Sequence, residues 1–171
     1  VAGNTKDFKS AIGSGDKKLL LVDINGATTV FDSTVDATTI DVDGTVTFTG
    51  AVTATTVTID AATAMSADLV ATTTTMGAGD VLTAAGNVTG AVVLSNGASS
   101  LALTGADITV TGDINAAGTT DAGIVAVTGA KVTFAGNLGA ASGTNIDILT
   151  VAANKRAVIT ETADFIDRID M

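Results

Sequence analysis

The side chains in this sequence that could do chemistry are almost all aspartates. Asp41 and Asp43 are two residues apart, and Asp107 and Asp113 share one short segment. Paired carboxylates can act together in glycoside hydrolysis. Carboxylate oxygens beside a turn can instead bind Ca²⁺, and the segment "DVDG" that begins at Asp41 indicates a weak Ca²⁺ site at Asp41 and Asp43. An Asp in a turn is also common without any ligand.

Most other reactive side chains are missing. The 171 residues include no His, Cys, Tyr or Trp. This excludes a Ser-His-Asp triad, a cysteine nucleophile and the usual His or Cys ligands of zinc. Sites that cleave polysaccharides commonly present aromatic platforms and basic residues, and the middle of this chain has few aromatic residues and no basic ones. We therefore predict that the protein is not an enzyme and has no cofactor apart from Ca²⁺.

The charge of the chain is acidic and unevenly distributed. The formal net charge is −10, and the segment from Leu19 to Ala130 contains eleven Asp but no Lys or Arg. Such a surface repels nucleic acid and anionic lipid, and no apolar run is long enough to cross a bilayer. We therefore predict neither nucleic-acid binding nor membrane insertion. All eight basic residues lie outside this segment, which would allow oppositely charged ends to stack subunits head to tail.

Alternating apolar and polar residues predict that β-strands carry these aspartates. Between residues 39 and 48, four apolar side chains alternate with polar neighbours: Ile40, Val42, Val46 and Phe48. A period of two with one apolar face is typical of a strand that is buried on one side. Turns are predicted at Asn25-Gly26 and Asp43-Gly44, because these residue types tolerate positive φ.

One fifteen-residue stretch occurs twice without a gap. It reads "LTGADITVTGDINAA" from Leu103 to Ala117 and "VTGAKVTFAGNLGAA" from Val127 to Ala141. Weaker copies of its Thr-x-(Thr/Ala)-Gly core lie upstream, and the four copies of this core begin at Thr47, Thr83, Thr109 and Thr133. The first step between these copies is clearly longer than the other two, which indicates an insertion, an extra strand or a degraded coil.

The shorter steps predict an all-β fold in which coils of about two dozen residues stack as a β-solenoid or a trimeric β-helix. The two long copies would then be successive coils, with Ile108 and Val132 inside and Thr109 outside. A β-sandwich or jelly roll is the alternative, because it also contains many short strands.

The two termini differ from the repetitive middle of the chain. We predict short capping or docking segments at residues 1–18 and 154–171, on either side of a repetitive β domain at residues 19–153. Each terminal segment carries apolar residues at helical spacing: Phe8 and Ile12 in the first, and Phe165, Ile166 and Ile169 in the second. These segments would either cover the ends of the coil stack or join neighbouring subunits.

Thr-x-Thr pairs form a further pattern, with examples that begin at Thr45, Thr53, Thr56 and Thr109. A ladder of Thr on a flat solenoid face can bind ice if it contains one pair per coil. The spacing of these pairs is not constant along the sequence, and an outward-facing Thr is also an ordinary strand residue. Ice binding is therefore an alternative rather than the first expectation.

The opening segment "NTKDF", from Asn4 to Phe8, resembles the start of many virion structural and tail-fibre proteins of marine bacteriophages. In those proteins it precedes repetitive β-structure rich in Thr, Val and Gly. The repeats also look like the passenger segments of bacterial autotransporters and filamentous adhesins. Both resemblances imply a rigid β-rod that docks onto other structural proteins or onto copies of itself.

The sequence therefore predicts a non-enzymatic structural protein of an extracellular assembly. The first expectation is a phage virion-surface protein, either a fibre or a capsid decoration, that forms a homo-oligomer or binds other structural proteins of the particle. The alternatives are a self-assembling subunit of a cell-surface filament or sheet, and a β-solenoid that binds carbohydrate or ice. The expected location is the virion surface or the extracellular space.

Overall fold

The computed structural model describes residues 5–26, 28–95, 97–118, 122–139, 145–161 and 165–171. Within these ranges the chain forms 18 β-strands and no helix. The strands build two nine-stranded sheets, A and B. Every pair of neighbouring strands in them is parallel.

The strands are numbered in chain order. Sheet A contains β1 (Lys6–Phe8), β3 (Thr29–Phe31), β5 (Val46–Phe48), β7 (Thr63–Met65), β9 (Val81–Ala84), β11 (Ser100–Leu103), β14 (Ala122–Val127), β16 (Ile146–Val151) and β18 (Ile166–Asp170). Sheet B contains β2 (Leu19–Ile24), β4 (Val35–Val42), β6 (Val52–Ile59), β8 (Leu69–Met76), β10 (Val88–Leu94), β12 (Asp107–Thr111), β13 (Ile114–Ala116), β15 (Lys131–Phe134) and β17 (Arg156–Ile159).

The chain passes from one sheet to the other and back, so that successive coils stack into a β-solenoid. It makes about 8 turns of about 19 residues each. Each strand pairs with the equivalent strand one coil later, as β4 does with β6 and β6 with β8. The prediction of an all-β solenoid is therefore confirmed. The β-sandwich alternative is wrong, because a sandwich is built from antiparallel strands.

The coils are shorter in the N-terminal half than the sequence repeat indicated. Val35 pairs with Val52 and Val52 pairs with Leu69, and each of these pairs marks one coil. Asp107 pairs with Lys131, which marks a longer coil. The predicted length of about two dozen residues is right for the repeated stretch and too long for the first coils. The later coils are longer for three reasons: the sheet A strand grows from three residues in β5 to six in β14, two residues separate β12 from β13, and the connection from β13 to β14 is longer than that from β4 to β5.

The repeated stretch consists of two successive coils, as its offset predicted. Ile108 of β12 pairs with Val132 of the neighbouring strand β15. Both side chains are buried, whereas Thr109 is on the outer face and partly exposed. The register inferred from the sequence is therefore confirmed at this point.

The irregular steps between the weaker copies also have a structural explanation. Thr47 pairs with Ala64, and Ala64 pairs with Thr83, so the long step from Thr47 to Thr83 spans two coils. The intermediate strand, which contains Ala64, lacks the Thr-x-(Thr/Ala)-Gly core. Thr83 lies in sheet A whereas Thr109 lies in sheet B. The number of residues from Thr83 to Thr109 is therefore not the length of a coil, because the two residues occupy different positions within their coils.

Stacking in a constant register places each inward side chain against its counterpart on the next coil. Phe8, Phe31 and Phe48 stack in this way, with ring centroids 4.9 and 5.0 Å apart and interplanar angles of 10°. The column continues through Met65 and Ala84. Columns of this kind form the core, in which each fully buried large side chain contributes roughly 1.5–3 kcal/mol.

A bend divides the long strands of sheet B. In β6 two adjacent residues at the bend, Thr55 and Thr56, both face outwards, which interrupts the alternation. Later coils place glycine at the bend. Gly90 and Gly112 have φ of +105° and +118°, and a Cβ on Gly112 would lie 2.6 Å from the carbonyl oxygen of Gly90. Because only glycine fits this backbone and this spacing, the bend can become sharp enough to separate β12 from β13.

The helical spacing of apolar residues at the two termini was misleading, because the described residues at both ends form β-strands that continue the solenoid. Lys6–Phe8 form β1 beside β3, and Ile12 forms an isolated bridge with Val35. Ile166–Asp170 form β18 beside β16. The edge of the adjacent coil offers backbone hydrogen-bonding partners to an extended segment, whereas a helix of this length is marginal in water.

The substitution Ile108→Asp should unfold the protein, because it buries an unpaired charge among apolar neighbours. We expect a loss of about 4 kcal/mol or more in the free energy of unfolding. Thr109→Asp is the matched control, and it should cost less than about 1 kcal/mol because Thr109 faces outwards. Urea denaturation followed by circular dichroism measures both values, and equal losses in the two variants would contradict the register.

Candidate functional site

The aspartates at positions 41 and 43 lie at one corner of the solenoid, where strands of sheet B end and the chain turns towards sheet A. We name this region the acidic corner and define it as Asp23, Asp41, Asp43, Asp60 and Asp80. Carboxylate oxygens of Asp41, Asp43 and Asp60 lie within 4.8 Å of one another. The fold therefore brings the two aspartates of the predicted Ca²⁺ site together and adds Asp60 to them.

Strand register positions these carboxylates. Asp41 faces outwards from β4, directly opposite Asp23 of β2. Asp43 and Asp60 occupy the same corner position on successive coils, and the Asp60 N–H donates to the carbonyl oxygen of Val42 at 2.8 Å. Sequence reasoning missed Asp60 because it follows Asp43 by one of the short coils, whose period differs from that of the long repeat.

The acidic corner is electrostatically unfavourable in the ionised state. Burial raises the pKa of the Asp41 carboxyl above its usual value, and the negative charges of Asp43, Asp23 and Asp60 raise it further. Burial also raises the pKa of Asp80, with a smaller contribution from Asp60. None of the salt bridges within the described residues involves this corner. The mutual repulsion of its carboxylates is therefore not offset by an ion pair there.

Three converging carboxylates form a hard, anionic set of oxygen ligands, which suits Ca²⁺ better than a transition metal. A glycine on the next coil leaves room for one of them, Asp60. A Cβ on Gly77 would collide with the carboxylates of Asp60 and Asp80. Ca²⁺ at Asp41 and Asp43 stays a prediction from the sequence, and the structure adds Asp60 as a third residue that could bind the ion.

The second aspartate pair is not arranged as a catalytic pair. Asp107 is the first residue of β12, and Asp113 lies beyond its last residue, Thr111, at the start of β13. The carboxylate of Asp107 contacts the Lys131 Nζ at 3.0 Å. Asp113 accepts hydrogen bonds from the backbone N–H and the Nδ2 of Asn137 at 2.9 and 3.2 Å. Each of these carboxylates therefore joins its own coil to the next one.

Thr-x-Thr pairs align on the outer face of sheet B over two coils. Thr56 pairs with Thr73, and Thr58 pairs with Thr75, which gives two outward columns of hydroxyl groups. The following coil continues both columns with apolar residues. The regular array that ice binding requires is therefore limited to these two coils.

The two ends of the solenoid carry most of its exposed apolar surface. Among the described residues nine large apolar side chains are exposed, and seven of them belong to the first or the last coil. In the first coil these are Phe8, Leu19, Leu20 and Leu21, and in the last coil Phe165, Ile169 and Met171. Leu19 lies opposite the buried Ala37, whereas Leu21 lies opposite the outward-facing Thr39. The other two residues predicted for assembly, Ile12 and Ile166, are half-buried against the core at the same ends.

Each end face opens into the interior of the solenoid. A groove of about 230 Å³ at the N-terminal end is lined by residues that include Phe8, Ile12 and Leu21. A groove of about 280 Å³ at the C-terminal end is lined by residues that include Ile159 and Ile169. Both grooves are largely apolar because the inward columns of the core reach the surface there.

The described residues contain no helix that is long and apolar enough to cross a membrane. The chain matches no protein-family model, and neither the curated proteins nor the solved structures show significant similarity to it.

The substitution Asp41→Asn should stabilise the protein at pH 7. A carboxyl whose pKa is raised in the folded state contributes stability that is present below its unfolded pKa, about 3.9, and is lost as the pH rises through the folded pKa. The gain of Asp41→Asn over the unsubstituted chain should therefore be largest at pH 7, about 0.2–1 kcal/mol for a cross-strand pair of like charges, and should vanish near pH 4. Urea titrations at several pH values measure it. Asp16→Asn, in an exposed turn, is the control, and a gain that does not change with pH would contradict this account.

Millimolar Ca²⁺ should raise the melting temperature, because Ca²⁺ bound to the folded state alone stabilises it by mass action. Differential scanning fluorimetry with CaCl₂ and with NaCl of equal ionic strength measures this effect. Asp60→Asn should reduce the rise, whereas Asp16→Asn should not. A melting temperature that responds equally to both salts would rule out the predicted Ca²⁺ site.

Proposed function

We propose that this protein is a non-enzymatic structural component of an extracellular assembly in which β-solenoids join end to end. The observation that carries the proposal is the position of the exposed large apolar side chains, seven of nine of which, within the described residues, belong to the first or the last coil. The edge strand of a sheet also presents unpaired backbone N–H and C=O groups. Apolar side chains beside such an edge favour the addition of another strand.

The sides of the solenoid have a different character. Away from the end faces, Val70 and Val81 are the large apolar residues that are exposed in the described part of the chain. All charged residues between Leu19 and Ala130 are acidic. Such sides repel one another and keep rods apart in solution. The two kinds of surface therefore favour growth along the solenoid axis over lateral association.

The place of the assembly is proposed from the resemblance. The segment "NTKDF" favours a virion surface, where the rod would serve as a fibre or a capsid decoration; its first residue, Asn4, lies outside the described residues. A subunit of a cell-surface filament or sheet is the alternative and uses the same end faces. A filament subunit assembles alone, whereas a capsid decoration needs its particle.

The variant Leu19→Lys should prevent end-to-end joining without unfolding the protein. Leu19 lies opposite Ala37 in an inward column, lines the N-terminal groove and is 43% exposed, so Lys at this position should lower the stability of a single copy by only about 1 kcal/mol. In a joint, however, it would bury a charge among apolar side chains. We expect elongated particles of the unsubstituted chain at high protein concentration, and monomers of Leu19→Lys, in light scattering and negative-stain electron microscopy.

Val70→Lys is the matched control, since Val70 is an exposed apolar residue on the side of the solenoid. This variant should assemble as the unsubstituted chain does. Loss of assembly in both variants, or an unsubstituted chain that stays monomeric at every concentration, would show that the end faces do not join. Monomers that bind only to an intact particle would favour the capsid decoration.

A further inference from the structure

We infer that the end faces meet in one geometry, in which a second copy is rotated about the solenoid axis so that its sheet A follows sheet B of the first copy. In this joint β1 of the second copy lies on β17 of the first, and β2 lies on β18. The rotation preserves the direction in which the chain circulates about the axis, so the strands that meet are parallel, as they are throughout the solenoid. The inference rests on the proposed end-to-end assembly and specifies its partner and its geometry.

The path of the chain determines this rotation. Because β1 precedes β2 and β18 follows β17, and the chain advances along the axis with each turn, sheet A projects beyond sheet B at both ends. Within the described residues sheet A accordingly has nine levels and sheet B eight, since β12 and β13 both pair with β10 and share one level. Without rotation, β1 on β18 would leave one level empty beside β17. With rotation, the projecting strand of each face meets the recessed strand of the other.

Strand lengths also fit this arrangement. The two shorter strands, β1 with three residues and β17 with four, meet on one side of the joint. The two longer strands, β2 with six residues and β18 with five, meet on the other side. Without rotation each short strand would meet a long one, and part of the longer edge would stay unpaired.

The corner between these strands has nearly the same length at the two ends. The inward residues that flank it are only one residue closer together near the N-terminal end than in the last coil: they are Phe31 and Ala37 in the second coil, and Ile159 and Ile166 in the last. The first coil has an additional exposed turn here, at residues 13–18. Its Lys18 Nζ contacts Asp36 on the outer face of β4 at 3.1 Å, which holds this turn against the side of the solenoid.

On the longer side, β2 and β18 match residue by residue. From residue 19 to 24 and from residue 166 to 171, the positions follow one order: inward, outward, outward, inward, outward, inward. A shifted alignment would place an outward residue over an inward one. The inward pairs are Leu19 with Ile166, Val22 with Ile169, and Ile24 with Met171. In the single copy Leu19 is 43% exposed, Ile169 51% and Met171 99%, so the joint buries apolar surface that otherwise faces water.

On the shorter side, the inward columns of β1 and β17 also coincide. Phe8 continues the column of Phe31, and Ile159 continues the column of Phe134. Phe8 lines the N-terminal groove and Ile159 lines the C-terminal groove. Phe8 of the second copy placed on Ile159 of the first therefore closes the two grooves against each other.

Charge selects this alignment of β1 on β17. It places Asp7 diagonally beside Arg156, a neighbour of opposite charge. A shift of two residues towards the start of β17 would keep the inward positions but would bring Lys6 onto Lys155. In the selected alignment Lys6 is the first residue of β1 and is exposed, so its long side chain can keep the ammonium group in water.

Net charge favours this head-to-tail contact over contact between two N-terminal ends. Residues 1–18 contain four Lys and two Asp and have a net charge of +2, whereas residues 154–171 contain three basic and four acidic residues and have a net charge of −1. One pair of like charges meets in the joint, Asp23 on Asp170. The Arg168 Nε contacts the Asp170 carboxylate at 3.1 Å, so Asp23 meets an ion pair rather than an isolated negative charge.

Disulfide trapping tests this geometry, since the chain contains no Cys of its own. In the variant Asp7→Cys/Val158→Cys the proposed joint places the two Cα atoms about 4.8 Å apart, within the range of about 4.4–6.8 Å that a disulfide spans. Within one copy the first coil and β17 are separated by seven coil steps, roughly 34 Å. A disulfide between these positions can therefore form only between copies.

Mild oxidation of this variant should give a ladder of covalent dimers, trimers and longer species on a non-reducing gel. Asp7→Cys/Asp170→Cys is the matched control, because these outward positions would meet only in a joint without rotation, and it should give no ladder. Leu20→Cys/Asp167→Cys tests the contact of β2 with β18 independently and should give a ladder. The addition of Leu19→Lys to the first variant should abolish its ladder.

The outcomes separate the geometry from the proposed function. A ladder from the control and from neither proposed pair would show a joint without rotation and would overturn the inference. Assembly in light scattering without a ladder from either proposed pair would also overturn it and leave end-to-end joining intact. An unsubstituted chain that does not assemble would overturn both proposals.

Discussion

The rest of this structure depends on the register between successive coils. In a stack of parallel strands, the nearest neighbour of each side chain is the residue one coil away, about 4.8 Å along the axis. That arrangement is favourable when apolar groups coincide, as in the stack of Phe31 on Phe48 at 5.0 Å. The same arrangement is costly when charges coincide, as where Asp23 lies opposite Asp41: burial raises the pKa of Asp41, and the charges of Asp43, Asp23 and Asp60 raise it further.

This repetition also accounts for the contrast between the ends and the sides of the solenoid. Along the sides each coil is hydrogen-bonded to two others, and its outward positions carry mainly Thr, Asp and Ala. At the ends the same apolar columns that hold the coils together reach the surface, as Phe8 and Ile169 show. A surface that resembles the interior in pattern and spacing is complementary to another coil, and in the proposed assembly a second copy supplies that coil. The proposed structural role follows from this complementarity rather than from a pocket.

The alternation of Ile40 and Val42 with polar neighbours could be recognised locally, which is why strands and inward residues were predictable. Coil length was harder, because the long repeat belongs to the enlarged coils. The shorter period of the first coils survives only as an Ala-Thr-Thr triplet that recurs at Ala37, Ala54 and Ala71. Asp60 could not be assigned to the acidic corner without that period. The helical spacing at the termini was misleading because the edge of the adjacent coil, a tertiary feature, determines their conformation.

The central claim is that copies of the solenoid join through their end faces. Cryo-electron microscopy of the chain at high protein concentration tests this most directly. The account predicts rods in which solenoids, each with a coil spacing of about 4.8 Å, follow one another along a common axis. Isolated particles one solenoid long, or copies that associate through their sides, would contradict it.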